Sequence, residues 1–177
     1  MTDKPDVTIR RIRIDDLDAV QELYAAQVAA ETDPLSAIRV TAKQHAWEMR
    51  RLRQQWMVDQ RYLSYVATIE TKAEDGITGE SVVGYIAAVI QNQARLYEVE
   101  ALADIGELWV LPEHRGRGIG TTLAEYLFED INNHGIDWIT VHLVGNPDGV
   151  AEFFQKIGFK TCAVEMRCRL SELENKE

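Results

Sequence analysis

Residues 113–121, Glu113-His114-Arg115-Gly116-Arg117-Gly118-Ile119-Gly120-Thr121, gather what an anionic ligand needs into one short stretch. Glycines at 116, 118 and 120 let backbone N–H groups approach a ligand closely, because no Cβ stands in the way. Arg115 and Arg117 bring mobile positive charge to the same place. The residues that follow have helical spacing, so a helix N-terminus adds unsatisfied N–H groups and the positive end of its dipole. A pyrophosphate fits that description. Arg-x-x-Gly-x-Gly by itself is weak, since glycine's ordinary frequency gives roughly one match per thousand positions by chance. The dinucleotide fingerprint needs Gly-x-Gly-x-x-Gly opening a first βαβ unit, and no Gly-Lys-Ser/Thr follows to make a P-loop. A flexible surface turn is the remaining alternative.

The elements around the turn can be read in the same way. Leu108 to Leu111 form an apolar strand that Pro112 ends, since proline cannot donate to a ladder. Leu123, Leu127 and Ile131, with Ala124 and Phe128 beside them, predict a helix that stops near Gly135. Upstream, Val7–Arg13 reads as a first strand. Asp15 or Asp16 can cap a helix carrying Leu17, Val20, Leu23, Tyr24 and Val28. Thr41 and Gln44 have the spacing of a capping box. They open a second helix with Ala46, Met49, Leu52, Arg53 and Trp56 along one side, while Arg50, Arg51 and Arg53 are expected on a solvated face. Trp47 and Trp56 are expected in the core. Tyr62–Ile69 and Val82–Gln91, separated by Glu74-Asp75-Gly76 and Gly79, predict a hairpin. The segment 92–102 reads as a polar connection holding Tyr97 and Glu98. Asp137–Val144 predicts a fifth strand, Gly149–Ile157 a short helix, and Phe159–Leu170 a last long or broken strand. The order βααβββαβαβ implies a mixed sheet flanked by helices, an α/β (α+β) fold.

At 177 residues, 46% hydrophobic and 27% charged, the chain is expected to form one domain spanning residues 3–172. The longest apolar run, Val82–Ile90, is too short to span a bilayer. The polar start lacks a signal-peptide core, which points to a cytoplasmic protein without membrane partners. Cys162 and Cys168 share one face of the last predicted strand, where a disulfide is implausible, so both are expected as reduced packing residues. A net charge of −10 argues against nucleic acid. It suits a cationic amine as well as it suits plain solubility.

The stretch from Glu107 to Gly120 closely resembles the acyl-CoA-binding motif of the GNAT superfamily of N-acyltransferases. Asn146-Pro147 followed by Phe153-Phe154-Gln155-Lys156-Ile157-Gly158-Phe159, and Val82-Val83-Gly84-Tyr85-Ile86-Ala87, resemble two further family segments in family order. The resemblance implies a mostly antiparallel sheet of six to seven strands, about four helices and central strands that splay apart. It implies acetyl-CoA as acyl donor, no metal, and an amine acceptor on a small molecule or peptide. The pantetheine arm would insert like an extra strand along Trp109, Val110 and Leu111. Its pyrophosphate would rest on Arg115, Gly116, Arg117, Gly118, Ile119, Gly120 and Thr121.

Glu107 is then the leading general base for removing a proton from the amine, with Asp104 and Glu100 as reserves. A purely structural or substrate-recognising role is the alternative for Glu107. A backbone N–H near Val110 would polarise the thioester carbonyl. Asn146 matches an asparagine that contacts the pantetheine arm in the family, and the two early helices match part of the acceptor wall. Phe154 stands where many relatives carry a tyrosine general acid, so the general acid is unassigned and Phe154 is expected to pack near the cofactor. Homodimerisation is a family-level expectation, with the last strand as interface. A non-catalytic acyl-CoA-binding or regulatory module on the same fold is the alternative reading, and a nucleotide site using the same loop a third.

Overall fold

The structure, a computed structural model, describes residues 7–30, 53–72, 78–93, 99–143 and 149–163. One sheet is built from β1 (Val7–Arg11), β2 (Tyr62–Lys72), β3 (Thr78–Asn92), β4 (Ala101–Val110) and β5 (Ile139–Val141), hydrogen-bonded in that order. Neighbours from β1 to β4 run antiparallel, and β5 joins β4 in parallel. The helices are α1 (Leu17–Ala30), which follows a 3-10 turn at Ile14–Asp16, α2 over 53–58, α3 (Ile119–Asn133) and α4 (Val150–Lys156).

The described residues thus hold five strands rather than the six to seven expected. Part of the difference lies at the C-terminus: 159–163 form no ladder, and 164–170 lie outside the described residues. β1 stops at Arg11 rather than Arg13, and β5 keeps only three residues of Asp137–Val144. Cys162 is exposed instead of packed. Thr41, Gln44, Trp47, Arg50, Arg51, Tyr97, Glu98, Asn146 and Cys168 lie outside the described residues.

Two helix layers cover the two faces of the sheet. On one, Ile119, Leu123, Leu127 and Ile131 of α3 pack on Ile9, Leu63, Ala67, Ile86, Ala88, Ala103 and Ile105. Their spacing of four residues puts them on a single side of the helix, and strand alternation supplies a matching apolar surface. On the other face, Leu17, Val20 and Leu23 of α1 meet Val66 and Tyr85. β3, buried without interruption from Val83 to Ala88, is covered on both faces. This explains why its sequence is a continuous apolar run instead of an alternation. Gly84 is needed there because a Cβ would stand 2.9 Å from the Trp109 carbonyl oxygen of β4.

Polar tethers fix the margins. Arg10 of β1 donates to both carboxylate oxygens of Asp16, at 2.6 and 2.9 Å, and also to Glu80. Asp16 does not cap the helix ahead of it. It reaches back to accept from the Arg13 N–H at 2.7 Å. Across the sheet, the Tyr65 hydroxyl (2.8 Å) and Arg11 both donate to Asp130 of α3.

Candidate active site

The site begins with one extra residue in β4. Ala87 of β3 pairs with Glu107 and Ala88 pairs with Ile105, so Gly106 is left over as a bulge. A bulge shifts the two-residue alternation by one. Before it, Ala103 and Ile105 point into the α3 core. After it, Leu108 and Val110 do so. Glu107 and Trp109 therefore face α1 and α2. In an unbroken strand, position 107 would have followed 103 and 105 into the apolar core. A glycine inside a strand pattern is the signal that marks such a bulge, and the sequence reading passed over it.

The same residue coincides with a second event. The β4–β5 ladder holds three pairs, Ala103–Ile139, Asp104–Thr140 and Ile105–Val141, and ends there. Residues 142 and 143 continue without a rung. The neighbouring strands thus part at the bulge, with Glu107 on one lip of the opening. A splay of the expected kind would open from this point.

Glu107 is not alone. Arg53 of α2 donates from Nη2 to its carboxylate oxygens at 3.1 and 3.4 Å, and from Nη1 to Gln21 Oε1 at 2.7 Å. The guanidinium carbon lies 4.4 Å from the centre of the Tyr24 ring and 5.3 Å from that of Trp56. Arg53 is only 1% exposed, which corrects its expected place on a solvated face. An arginine on the apolar side of its helix had to find a carboxylate or water, and it finds Glu107. Trp56 is half-buried against the α1 cluster, as a core residue would be.

Tyr85 completes the group from β3, directly across the ladder from Trp109. Its hydroxyl donates to Gln27 Oε1 at 3.0 Å. Burial above all, and then the Glu107 carboxylate, pushes the Tyr85 pKa well above the usual phenol value, so the hydroxyl keeps its proton. Two donors in this cluster, Arg53 Nε and Trp109 Nε1, are buried without a hydrogen-bond partner. Orphaned buried donors are uncommon in a packed core, and these two stand beside Glu107.

The anion cradle lies just past the end of β4. A short 3-10 turn, Pro112–His114, leads into Gly116 at φ +74° and Gly118 at φ +83°. Those backbone angles favour glycine, and space within 4 Å of either missing Cβ is open. Gly118 caps α3 without a side-chain hydrogen bond, and the first turn carries no acid. The N–H groups of 119–121 and the positive helix end are therefore left for a ligand. Gly120 serves differently. Its φ is ordinary, and a Cβ there would touch the Phe153 ring at 3.5 Å. Arg117 is exposed. Arg115 folds back, donating from Nε to the Val110 carbonyl at 2.8 Å and stacking on Trp109 at 4.3 Å. The Leu111 N–H donates to Val83. These features fit the diphosphate of a CoA thioester: open glycines, free helix N–H groups and no acid in the first turn of α3.

The remaining sequence candidates separate. Asp104, before the bulge, shares the face of Glu107 and accepts from Gln91 at 3.1 Å. Glu100 precedes β4 and is exposed. Phe154 is 3% exposed, packed edge-on against Phe153 and Phe159 within the α3 core.

A parallel strand, a glycine-rich turn into a helix and a carboxylate one residue past the bulge thus come together in one region. The chain belongs to the Acetyltransferase (GNAT) family, matched over residues 21–159. It is 28% identical over 158 residues to an uncharacterized N-acetyltransferase of Methanocaldococcus jannaschii, covering 86% of this chain and 60% of that relative's length. Among solved structures, it resembles a GCN5-related N-acetyltransferase from Ralstonia eutropha JMP134, with TM-score 0.68, 20% identity, and 93% and 99% of the two chains covered. It also resembles an aminoglycoside N-acetyltransferase in complex with CoA, with TM-score 0.66, 15% identity, and 92% and 93% covered. Likeness at these identities shows the fold alone. No helix among the described residues is long and apolar enough to cross a membrane.

Proposed function

We propose that the protein is an N-acetyltransferase that moves the acetyl group of acetyl-CoA to a primary amine by direct attack within a ternary complex. The observation that carries this reading is the Gly106 bulge, which turns Glu107 toward α1 and α2 at the place where β4 and β5 part. The thioester lies along the splay, with its diphosphate on the N–H groups of 119–121. The amine comes from the α1–α2 side and loses a proton to Glu107, directly or through one water. Its lone pair then attacks the carbonyl, which a backbone N–H near Val110 polarises. Arg53, itself anchored on Gln21, holds the carboxylate in place, and Tyr85, donating to Gln27, keeps its proton beside it. The net charge of −10 favours a cationic acceptor, on a small molecule or a peptide. The wider reading adds a single domain over residues 3–172, a cytoplasmic location and a homodimer.

The buried phenylalanine at 154 favours a second reading, a non-catalytic acyl-CoA-binding module. One experiment separates the two. Acetyl-CoA is titrated calorimetrically into wild type and Gly118→Trp, and thiol release is then followed with pooled primary amines. Micromolar binding that is lost in the variant, with thiol release in wild type, is expected for the enzyme. Binding without release across a broad amine panel supports the module. Better binding of ATP or NAD than of CoA rejects both.

A further inference from the structure

Resting on the acetyl-transfer reading, the geometry points to His142, oriented by Asp104, as the residue that delivers a proton to the departing sulfur. Neither resemblance nor spacing singles this histidine out; the parting of the strands does. Val141 forms the last rung between β5 and β4, and His142 is the next residue. Glu107 stands in the corresponding place on β4, one residue past the bulge. The two side chains thus mark opposite lips of one opening.

They also share a face. Asp104 pairs with Thr140 in the parallel ladder, and His142, two residues on, returns to the same side as Thr140. Contact confirms it, because His142 Nδ1 lies 3.2 Å from Asp104 Oδ1. A carboxylate oxygen only accepts, so Nδ1 carries the hydrogen and Nε2 is left pointing away from the pair. Asp104 is itself held, its other oxygen accepting from Gln91 Nε2 at 3.1 Å. The arrangement of carboxylate, imidazole and open reacting nitrogen is that of an oriented acid–base histidine. Stability does not explain the pair. The His142 side chain is 75% exposed, and exposed pairs contribute little.

The need for such a group is visible elsewhere. Phe154 has no proton to give and is enclosed in the α3 core. Among the described residues, the other charged or titratable groups on this face include Glu107, Arg53 and Tyr85, with Tyr24 stacked against Arg53 and Arg115 tied to the Val110 carbonyl over Trp109. Glu107 is engaged with the amine, Arg53 is bound to Glu107, and burial holds the Tyr85 proton in place.

The step balances. The amine nitrogen forms its bond to the acetyl carbon as the C–S bond breaks, and the sulfur leaves with the electron pair. Imidazolium Nε2–H gives its proton to that sulfur, making the free thiol. The second amine proton leaves to water as the amide forms. Glu107 later releases its proton and His142 takes one up, so one proton per turnover reaches solvent. Asp104 acts through His142 and is a positioning residue.

The test reads the imidazole directly. Nitrogen-15 spectra of the four histidines are recorded with CoA and with desulfo-CoA, the His142 signals being assigned by their loss in His142→Gln. The expected result is a His142 Nε2 shift with CoA several-fold larger than with desulfo-CoA. In Asp104→Asn, the Nδ1–H tautomer preference and the CoA response should both be lost, while calorimetric CoA affinity stays within about threefold. With an amine that supports thiol release, His142→Gln should lower kcat about 100-fold at unchanged KM for acetyl-CoA. A His142 signal that ignores bound CoA, or answers both ligands equally, overturns the assignment while leaving acetyl transfer intact. Unchanged thiol release in His142→Gln does the same. Failure of CoA to bind overturns the acetyl-transfer reading and this assignment with it.

Discussion

The two faces of the sheet are built from one set of strands to different rules. Against α3, Leu63, Ala67, Ile86, Ala103, Ile105, Leu123, Leu127 and Ile131 make an apolar core, with the Tyr65–Asp130 contact at its margin. Against α1 and α2, the sheet presents Tyr85, Glu107 and Trp109 to Arg53, Gln21, Gln27 and Tyr24. The first face gains from every apolar group it removes from water. The second buries charges whose desolvation offsets much of their attraction, and it leaves two donors unpaired. One face holds the protein together, and the other is held together by it. Gly106 is where β4 passes from one rule to the other.

Shifting that boundary by one residue should have the largest effect. Insertion of one alanine after Gly106, with the bulge kept, would return Glu107 and Trp109 to the α3 side and turn Leu108 and Val110 away from it. Burying an unpaired carboxylate there and withdrawing core side chains should cost roughly 5 kcal/mol or more, read as loss of a cooperative urea transition. Next comes Glu107→Gln, which keeps the shape of the polar face and removes the proposed base. Thiol release with a responsive amine should fall about 10³-fold, with acetyl-CoA affinity by calorimetry nearly unchanged. On the apolar face, Leu123→Ala should do the reverse, lowering stability by about 3 kcal/mol in urea while the folded fraction keeps its turnover.

Arg53→Met sharpens the contrast further. It leaves Glu107 without its guanidinium, and because that carboxylate is still partly exposed the cost should be about 2 kcal/mol, below the range for fully buried pairs. An Arg53→Met/Glu107→Met double variant should recover most of that loss in a double-mutant cycle. The smallest effect belongs to Asp16, at the margin of the α1 face. Burial works to raise its pKa, but the Arg10 guanidinium and the Arg13 N–H outweigh it and hold the group below the usual carboxylate value. Its folded pKa is therefore depressed, so its contribution is present above about pH 4. That contribution fades as pH falls through the folded value. Urea midpoints measured from pH 6 down to pH 2 should show a shallower acid limb in Asp16→Asn than in wild type.

What could be read from the sequence follows the range of the interactions involved. Helix α3 is local: a 3.6-residue period, glycines at its start and Gly135 after its end are all properties of neighbouring residues. The β2–β3 hairpin is nearly as local, and so is the glycine-rich turn that leads into α3. Arg53 and Glu107 are separated by 54 positions, and nothing in either neighbourhood announces the other. An arginine on the apolar side of its helix was the available hint. The bulge depends on how β3 and β4 align, which glycine 106 permits but does not dictate. The His142–Asp104 contact needs the parallel register of two strands 38 positions apart. Cys162 has the alternation expected of a buried strand, yet 159–163 join no ladder, so the alternation has no surface to pack against.

The shortness of the β4–β5 ladder also bears on how the molecule opens. A three-rung parallel seam, its pairs Ala103–Ile139 through Ile105–Val141, is a small fraction of the hydrogen bonding that joins β2 to β3. Local openings begin where few backbone bonds must break together. Parting along this seam would uncover one edge of β4 while leaving the β1–β4 meander closed. A ligand lying in the splay and bonded to both edges would extend the seam beyond Ile105, so binding and sheet completion become one event. The hinge of the protein and the slot for its donor would then be the same line of backbone.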